Sequence, residues 1–411
     1  MERSLLGLLE SGHFRTARPK LVFLTGPRGS GKTALAKELQ TRRGSQGVYG
    51  DWGDFEFRRQ AAMTPHAFLD SYQPLLFKKV LAVIDEINHF PQWKQYMHNL
   101  WKTRSSKIDF IAISSGICDL SKQLKHTGIL NFKQYHMHPF SLSEVLQTVF
   151  SPDKDTPVKV LDSLLKAPPI PGRRSREAFE ALLRFGGFPE AFVAQNQKRH
   201  VIWLRERHER LIKEDMRDLS RIQMLSSVEH LVALILAQTG SILSFNKLRR
   251  DLGVNIASAR LWAARLEHLH FCFRVAPFAG RLERCLRLAP KFYLYDWSEV
   301  DDAERRFENM TACALLRWCH FCGDWGQGKL ELHHVRDKEK RSVPFLLTLN
   351  RKPFLLVGTT AGEAGETRNL KYFAARMGKV PAMLVAAGRK QLGDCDGVRA
   401  VPGAAFFAVI P

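Results

Sequence analysis

The sequence predicts an α/β chain, with a doubly wound parallel sheet in its first third and helices followed by a strand further on. Three observations predict it. The apolar run Leu21–Thr25 enters a glycine-rich loop and then a helical pattern, the order of a buried parallel strand and its crossover helix. Two more apolar runs, Val80–Ile84 and Ile108–Ile113, close in polar residues, and doubly wound sheets bind ligands at the carboxyl ends of their strands. Beyond residue 228, two helical patterns joined at a glycine precede an alternating strand.

The loop reads Gly26-Pro27-Arg28-Gly29-Ser30-Gly31-Lys32-Thr33, the pattern G-x-x-x-x-G-K-[ST], and Ala34–Leu39 continues it as a helix. Glycines there let successive backbone N–H groups converge on phosphate oxygens, and the helix N-terminus adds its positive dipole end. These eight residues are the expected ATP contacts of a P-loop NTPase sheet. Lys32 should reach the β and γ phosphates, and the Thr33 hydroxyl should bind Mg²⁺. The second run ends in Asp85-Glu86. Asp85 is expected to hold Mg²⁺ together with Thr33, and Glu86 to polarise the attacking water. After the third run, Ser115 could touch that water or the γ-phosphate; a plain strand-terminal turn fits the same residues.

Pro152, Pro157, Pro168, Pro169 and Pro171 mark a connector, and helical patterns follow to Arg184 and over Ile202–Arg217. Val228–Gln238 reads as a strongly apolar helix. Ser244 as N-cap and Gly253 as stop then bracket a second helix, Ile256–His268 forms a third, and Phe271–Val275 alternates like a wing strand. That is winged-helix order, and residues 228–290 carry nine basic against four acidic side chains. Recognition helices meet base edges while nearby basic groups meet phosphates, so Ser258, Arg260, Arg281, Arg284 and Arg287 are the candidate DNA contacts. A protein-packing lid is the competing reading.

Several segments carry a family likeness. Asp85-Glu86-Ile87-Asn88-His89-Phe90-Pro91-Gln92-Trp93-Lys94, His138–Glu144, Gly186–Glu190, Met216–Ile222 and Tyr295-Asp296-Trp297 follow one another as in a prokaryotic AAA-type ATPase family. The chain resembles that family from about Leu21 to near its end. Its members couple a P-loop ATPase domain to a winged helix and a C-terminal domain like the PD-(D/E)xK nucleases. The resemblance implies an ATPase domain over 1–150, a helical lid over 151–227, a winged helix over 228–290 and a nuclease-like domain over 291–411. It also implies ATP binding, Mg²⁺-dependent hydrolysis and action on or near DNA.

The chain departs from its relatives in two places. Where they read Gly-Ser-Ala-Arg-Leu-Asp, this sequence has Ser114-Ser115-Gly116-Ile117-Cys118-Asp119, and a later Gly-Arg pair falls near Leu130-Asn131. An arginine against the γ-phosphate is worth roughly 10³–10⁵ in rate. Its loss implies slow turnover, or an arginine from elsewhere, such as Arg217 or a neighbouring copy. In the nuclease frame Glu308 is retained on the helix motif. The expected Asp, however, falls on Pro344 in a strand read as Val335–Phe345, and Gly358 and Thr360 stand where Glu and Lys belong. Metal-dependent cleavage is therefore not expected, and Glu363 and Glu366 are poor substitutes in a glycine-rich setting. Cys319-His320-Phe321-Cys322, near Cys313, His333 and His334, supplies zinc-ligand types, but Cys313 and Cys319 share a helical pattern and free thiols are expected.

Composition bounds the rest. The chain has 411 residues, 45% of them apolar, and a net charge of +21. The excess is spread as +8 over 1–150, +8 over 151–300 and +5 over 301–411, a field that favours polyanions. The expected partners are ATP, double-stranded DNA and further copies of the chain. A nucleotide-switched protein-interaction module with little hydrolysis is the alternative. The densest apolar run, Leu231–Ala237, falls far short of the ~18 residues of a membrane span. With no secretory signal pattern and only seven cysteines, a cytoplasmic location is expected.

Overall fold

A computed structural model describes residues 3–10, 14, 21–42, 48–64, 67–70, 80–104, 108–116, 132–148, 150–151, 153–166, 170–216, 225–278, 289–363, 365–389, 391, 393–395 and 397–411. The chain divides into two compact units, Met1–His138 and Pro139–Pro411.

The first unit is built on five strands: β1 (Leu21–Thr25), β2 (Val48–Asp51), β3 (Val80–Asp85), β4 (Ile108–Ser114) and β5 (Phe132–His136). Their order is β2-β3-β4-β1-β5, and every pairing is parallel. Each residue of β1, β3 and β4 is buried, which is why these strands read as unbroken apolar runs rather than alternating ones. The short β2 contains a glycine and β5 carries Lys133 and Gln134 in succession, so neither stands out in the sequence. Helices α1 (Lys32–Arg42), α2 (Phe55–Met63) and α3 (Trp93–Arg104) belong to this unit. Phe23, Phe110, Trp93, Met97 and Leu100 centre one face of its core. On α1, buried Gln40 donates through Nε2 to the carbonyls of Val48 (2.9 Å) and Leu81 (3.0 Å), tying that helix to β2 and β3.

In the second unit, helices α4 (Pro157–Lys166), α5 (Arg173–Phe185), α6 (Pro189–Ala194) and α7 (Gln197–Arg210) precede α8 (Leu225–Ala237), α9 (Phe245–Leu252) and α10 (Ile256–His268). The caps of α9 are those the sequence predicts, while the Asn255 cap of α10 is added by the structure. Ser244 Oγ accepts from Lys247 N at 3.4 Å, and Gly253 ends α9 with φ +66°. Asn255 Oδ1 caps α10 by accepting from Ser258 N at 2.7 Å. Next come β6 (Cys272–Pro277) and β7 (Lys291–Leu294), an antiparallel pair, with Ile242 bridging Lys291. These two strands lie at one end of an eight-stranded sheet. It continues through β8 (Leu330–Arg336), β9 (Ser342–Leu349) and β10 (Lys352–Thr360), which are antiparallel, to β11 (Ala382–Ala386) and β13 (Val398–Pro402), which are parallel, and ends at β12 (Gly393–Cys395). The 22-residue helix α11 (Ala303–Asp324) and the shorter α12 (Arg368–Arg376) pack on this sheet.

The segment expected as one strand, Val335–Phe345, is instead the tip of a hairpin. Arg341 N and Nε both donate to the Asp337 carboxylate, at 3.0 and 2.6 Å, and close a turn of five consecutive charged residues. Pro344 falls where the β8–β9 register shifts, between the pairs His333↔Leu346 and Val335↔Val343. A residue with no N–H is tolerated at such an irregularity because no ladder bond is lost there.

Candidate nucleotide site

The carboxyl ends of β1, β3 and β4 share one edge of the first sheet, with Thr25 in register with Ser114. Between β1 and α1 the chain must turn sharply, and three glycines make the turn with φ of +155° (Gly26), +81° (Gly29) and +95° (Gly31). At Gly26 a side chain has no room, because a Cβ would stand 2.1 Å from the carbonyl oxygen of Met137. Gly26→Ala should therefore lower stability by on the order of 2 kcal/mol or more, read as a drop in the unfolding midpoint. An unchanged midpoint would contradict the packing described.

Lys32 begins α1, only 4% exposed, and its Nζ donates to the carbonyls of Gly26 and Pro27, each at 2.9 Å. Burial pushes its amine down to about 8, against the opposing pull of Glu86 and Asp85. Next to it, Thr33 Oγ1 donates to Asp85 Oδ2 at 2.5 Å. The other carboxylate oxygen, Oδ1, accepts from Glu86 N at 2.9 Å. Glu86 itself sits in left-handed backbone, φ +48°, and its Oε2 accepts from Ser115 Oγ at 2.7 Å. Lys32, Thr33, Asp85, Glu86 and Ser115 thus converge from three separate segments. Ser30 is buried, its Oγ without a hydrogen-bond partner, and Arg28 is exposed.

One contributor was not legible in the sequence. Tyr49 OH, from β2, donates to Asp85 Oδ2 at 2.9 Å, on the same oxygen as Thr33. Burial and the neighbouring Asp85 raise its pKa far above the ordinary phenol value. No motif links a tyrosine to a carboxylate 36 positions later; only the pairing of β2 with β3 does.

A nucleotide with Mg²⁺ fits this arrangement. The loop turns through three glycines that bring no side chain, as a phosphate cradle requires, and a hydroxyl beside a carboxylate is the oxygen donor set that Mg²⁺ requires.

The other predicted residues lie elsewhere. On α10, Ser258 is half-buried in the first turn, and the exposed Arg260 holds its guanidinium 5.7 Å from the centre of the Phe245 ring. Arg281, Arg284 and Arg287 lie outside the described residues, as do Ile117, Leu130, Asn131 and Arg217. Glu308 does not face the β10 end. It accepts from Tyr293 OH at 2.7 Å and Lys291 Nζ at 3.2 Å. One turn earlier, Glu304 accepts from Thr360 Oγ1 (3.2 Å) and Ala361 N (2.8 Å) at that end. Glu363 and Glu366 are exposed. Cys313, Cys319 and Cys322 are buried free thiols on α11, pushed up in pKa by that burial. Among the described residues no three His, Cys, Asp or Glu side chains are grouped to hold a metal ion. No helix among them is long and apolar enough to cross a membrane.

No curated protein matches the chain in sequence. Solved structures to which it is similar include a replication initiator, DnaA, bound to AMPPCP and single-stranded DNA, at 15% identity and TM-score 0.29, covering 64% of this chain and 86% of that one. Another is PCH-2 of C. elegans, at 17% identity and TM-score 0.27, covering 46% of this chain and 58% of that one. A third is a DNA polymerase III gamma subunit-related protein of Thermotoga maritima, at 12% identity and TM-score 0.29, covering 64% and 99%. Residues 176–300 match the model of a domain of unknown function, DUF8612. Residues 18–146 match the model of the AAA domain, and the sheet order and glycine-rich loop above are those of a P-loop NTPase fold.

Proposed function

We propose that the first unit binds ATP with Mg²⁺ and hydrolyses it, and that its nucleotide state governs how the second unit engages duplex DNA. The observation that carries this reading is the linked set Thr33–Asp85–Glu86–Ser115 at the mouth of the phosphate loop. Residues 26–33 would wrap the phosphates with backbone N–H groups, and Lys32 would turn its Nζ from the loop carbonyls to the β and γ oxygens. Thr33 and Asp85 would hold Mg²⁺, which when bound neutralises charge on the phosphates. Glu86 would accept the proton of the attacking water, and Ser115, now bonded to its carboxylate, would orient it. Arg28 is the nearest arginine in sequence, and Arg217 or an arginine of another copy is the further candidate against the γ-phosphate.

The low Lys32 value gives a pH dependence with a definite sign. Below about 8 the free site carries its charge; above it the amine is neutral and must regain a proton when phosphate binds. ATP affinity should therefore fall, approaching about tenfold per pH unit, as pH rises beyond that value. Affinity flat to pH 9.5 would count against Lys32 as the phosphate ligand.

For the second unit, three helices followed by an antiparallel pair, with Ile242 bridging Lys291, support a winged helix. The order α11-β8-β9-β10-α12-β11 supports a nuclease-like frame without its acids. The test is ATP turnover with and without duplex DNA across a salt series. Stimulation that falls steeply with salt supports DNA engagement, because phosphate contacts release counterions. Binding of ATP with no stimulation favours the second reading, a nucleotide-switched protein-interaction module. Val193, Val201 and Ile202, exposed by 65%, 57% and 56% on α6 and α7, are the observation in its favour.

A further inference from the structure

We propose that Tyr49 is a positioning residue for the Mg²⁺ site, fixing the orientation of the Asp85 carboxylate through its phenol hydroxyl. The inference rests on the nucleotide reading above. The evidence is geometric. Thr33 Oγ1 and Tyr49 OH both donate to Asp85 Oδ2, at 2.5 and 2.9 Å, while Glu86 N donates to Oδ1 at 2.9 Å. The carboxylate is thus held by three donors from three segments, and its plane is fixed before any cation arrives. Thr33 and Glu86 each have another expected task in the reaction, whereas Tyr49 has none but this bond.

Local structure explains why the tyrosine points there. On β2 the adjacent Gly50 is pressed against the Phe57 ring, where a Cβ would come within 2.4 Å. Successive strand residues face opposite ways, so Tyr49 turns from Phe57 towards α1. There the exposed Lys37 of α1 places its Nζ 4.4 Å from the ring centre, a cation–π contact on the ring face, while the hydroxyl reaches Asp85. A tyrosine that served packing alone would need no hydroxyl at this position; phenylalanine would fill the same space.

The decisive comparison is Tyr49→Phe in the full chain, which keeps the ring and its lysine. Binding of a non-hydrolysable ATP analogue is measured as Mg²⁺ is raised from an EDTA baseline, with Lys32→Ala run alongside. A hydrogen bond to a charged group is worth enough that the half-saturating Mg²⁺ concentration should rise roughly tenfold, while metal-free affinity and the thermal midpoint hold. A merely structural role would lower the midpoint and leave the Mg²⁺ dependence in place. If Lys32→Ala weakens binding but Tyr49→Phe leaves the Mg²⁺ half-point unmoved, the role of Tyr49 is overturned and the nucleotide site stands. If Lys32→Ala changes nothing, both fall.

Discussion

Replacing Lys32 with alanine is expected to cost ATP affinity by a factor of roughly 10² or more, the largest effect of any single change in the first unit. The physical reason is the number of charged bonds lost. Its ammonium would donate to oxygens of two phosphates, and each such bond contributes about 1.5–3 kcal/mol. No other described cation is both buried and aimed into the loop: Arg28 is exposed and Lys37 lies over Tyr49. The fold should survive. Lys32 is buried at an energetic cost visible in its lowered pKa, so its removal relieves desolvation even as the Gly26 and Pro27 carbonyls lose their donor. Titration with a fluorescent ATP analogue decides it, and wild-type affinity in the variant would sink the assignment of the loop.

Glu86→Gln should separate binding from turnover. Hydrolysis is expected to fall roughly 10²–10⁴-fold, because the amide cannot take the proton of the attacking water. Binding should stay within a few-fold. The amide oxygen can still accept from Ser115 Oγ, and glutamine enters the left-handed backbone at φ +48° no less readily than glutamate. Phosphate release and analogue binding are measured on one preparation. Equal losses in both would make Glu86 a binding group; no loss of turnover would move the base elsewhere.

The phosphate loop and the Asp85-Glu86 pair were legible because their chemistry is local, with strand, turn and helix contiguous in sequence. The caps of α9 were legible for the same reason: Ser244 and Gly253 act within a few residues of themselves. What escaped depended on register. Tyr49 meets Asp85 only through strand pairing, and the weakly patterned β2 and β5 are defined by the strands beside them. The hairpin at Asp337 was hidden because two short strands and a charged turn read as one segment. On α11 a single helical turn separates the acid that faces β10, Glu304, from the one that matches the motif, Glu308. Motif spacing does not resolve which face of a helix meets a sheet end.

The tight seat of Gly26 against Met137 has a mechanical side. Met137 N donates to Thr25 O at 2.7 Å, and its carbonyl blocks any side chain at Gly26. The next residue, His138, is the last of the first unit, and its carbonyl accepts from Arg3. The end of the first unit is therefore held on one side by the glycine-rich loop and on the other by Arg3. The backbone between the glycine-rich loop and the end of the first unit is thus short and closely seated, so a shift of Gly26 cannot occur without a shift of Met137.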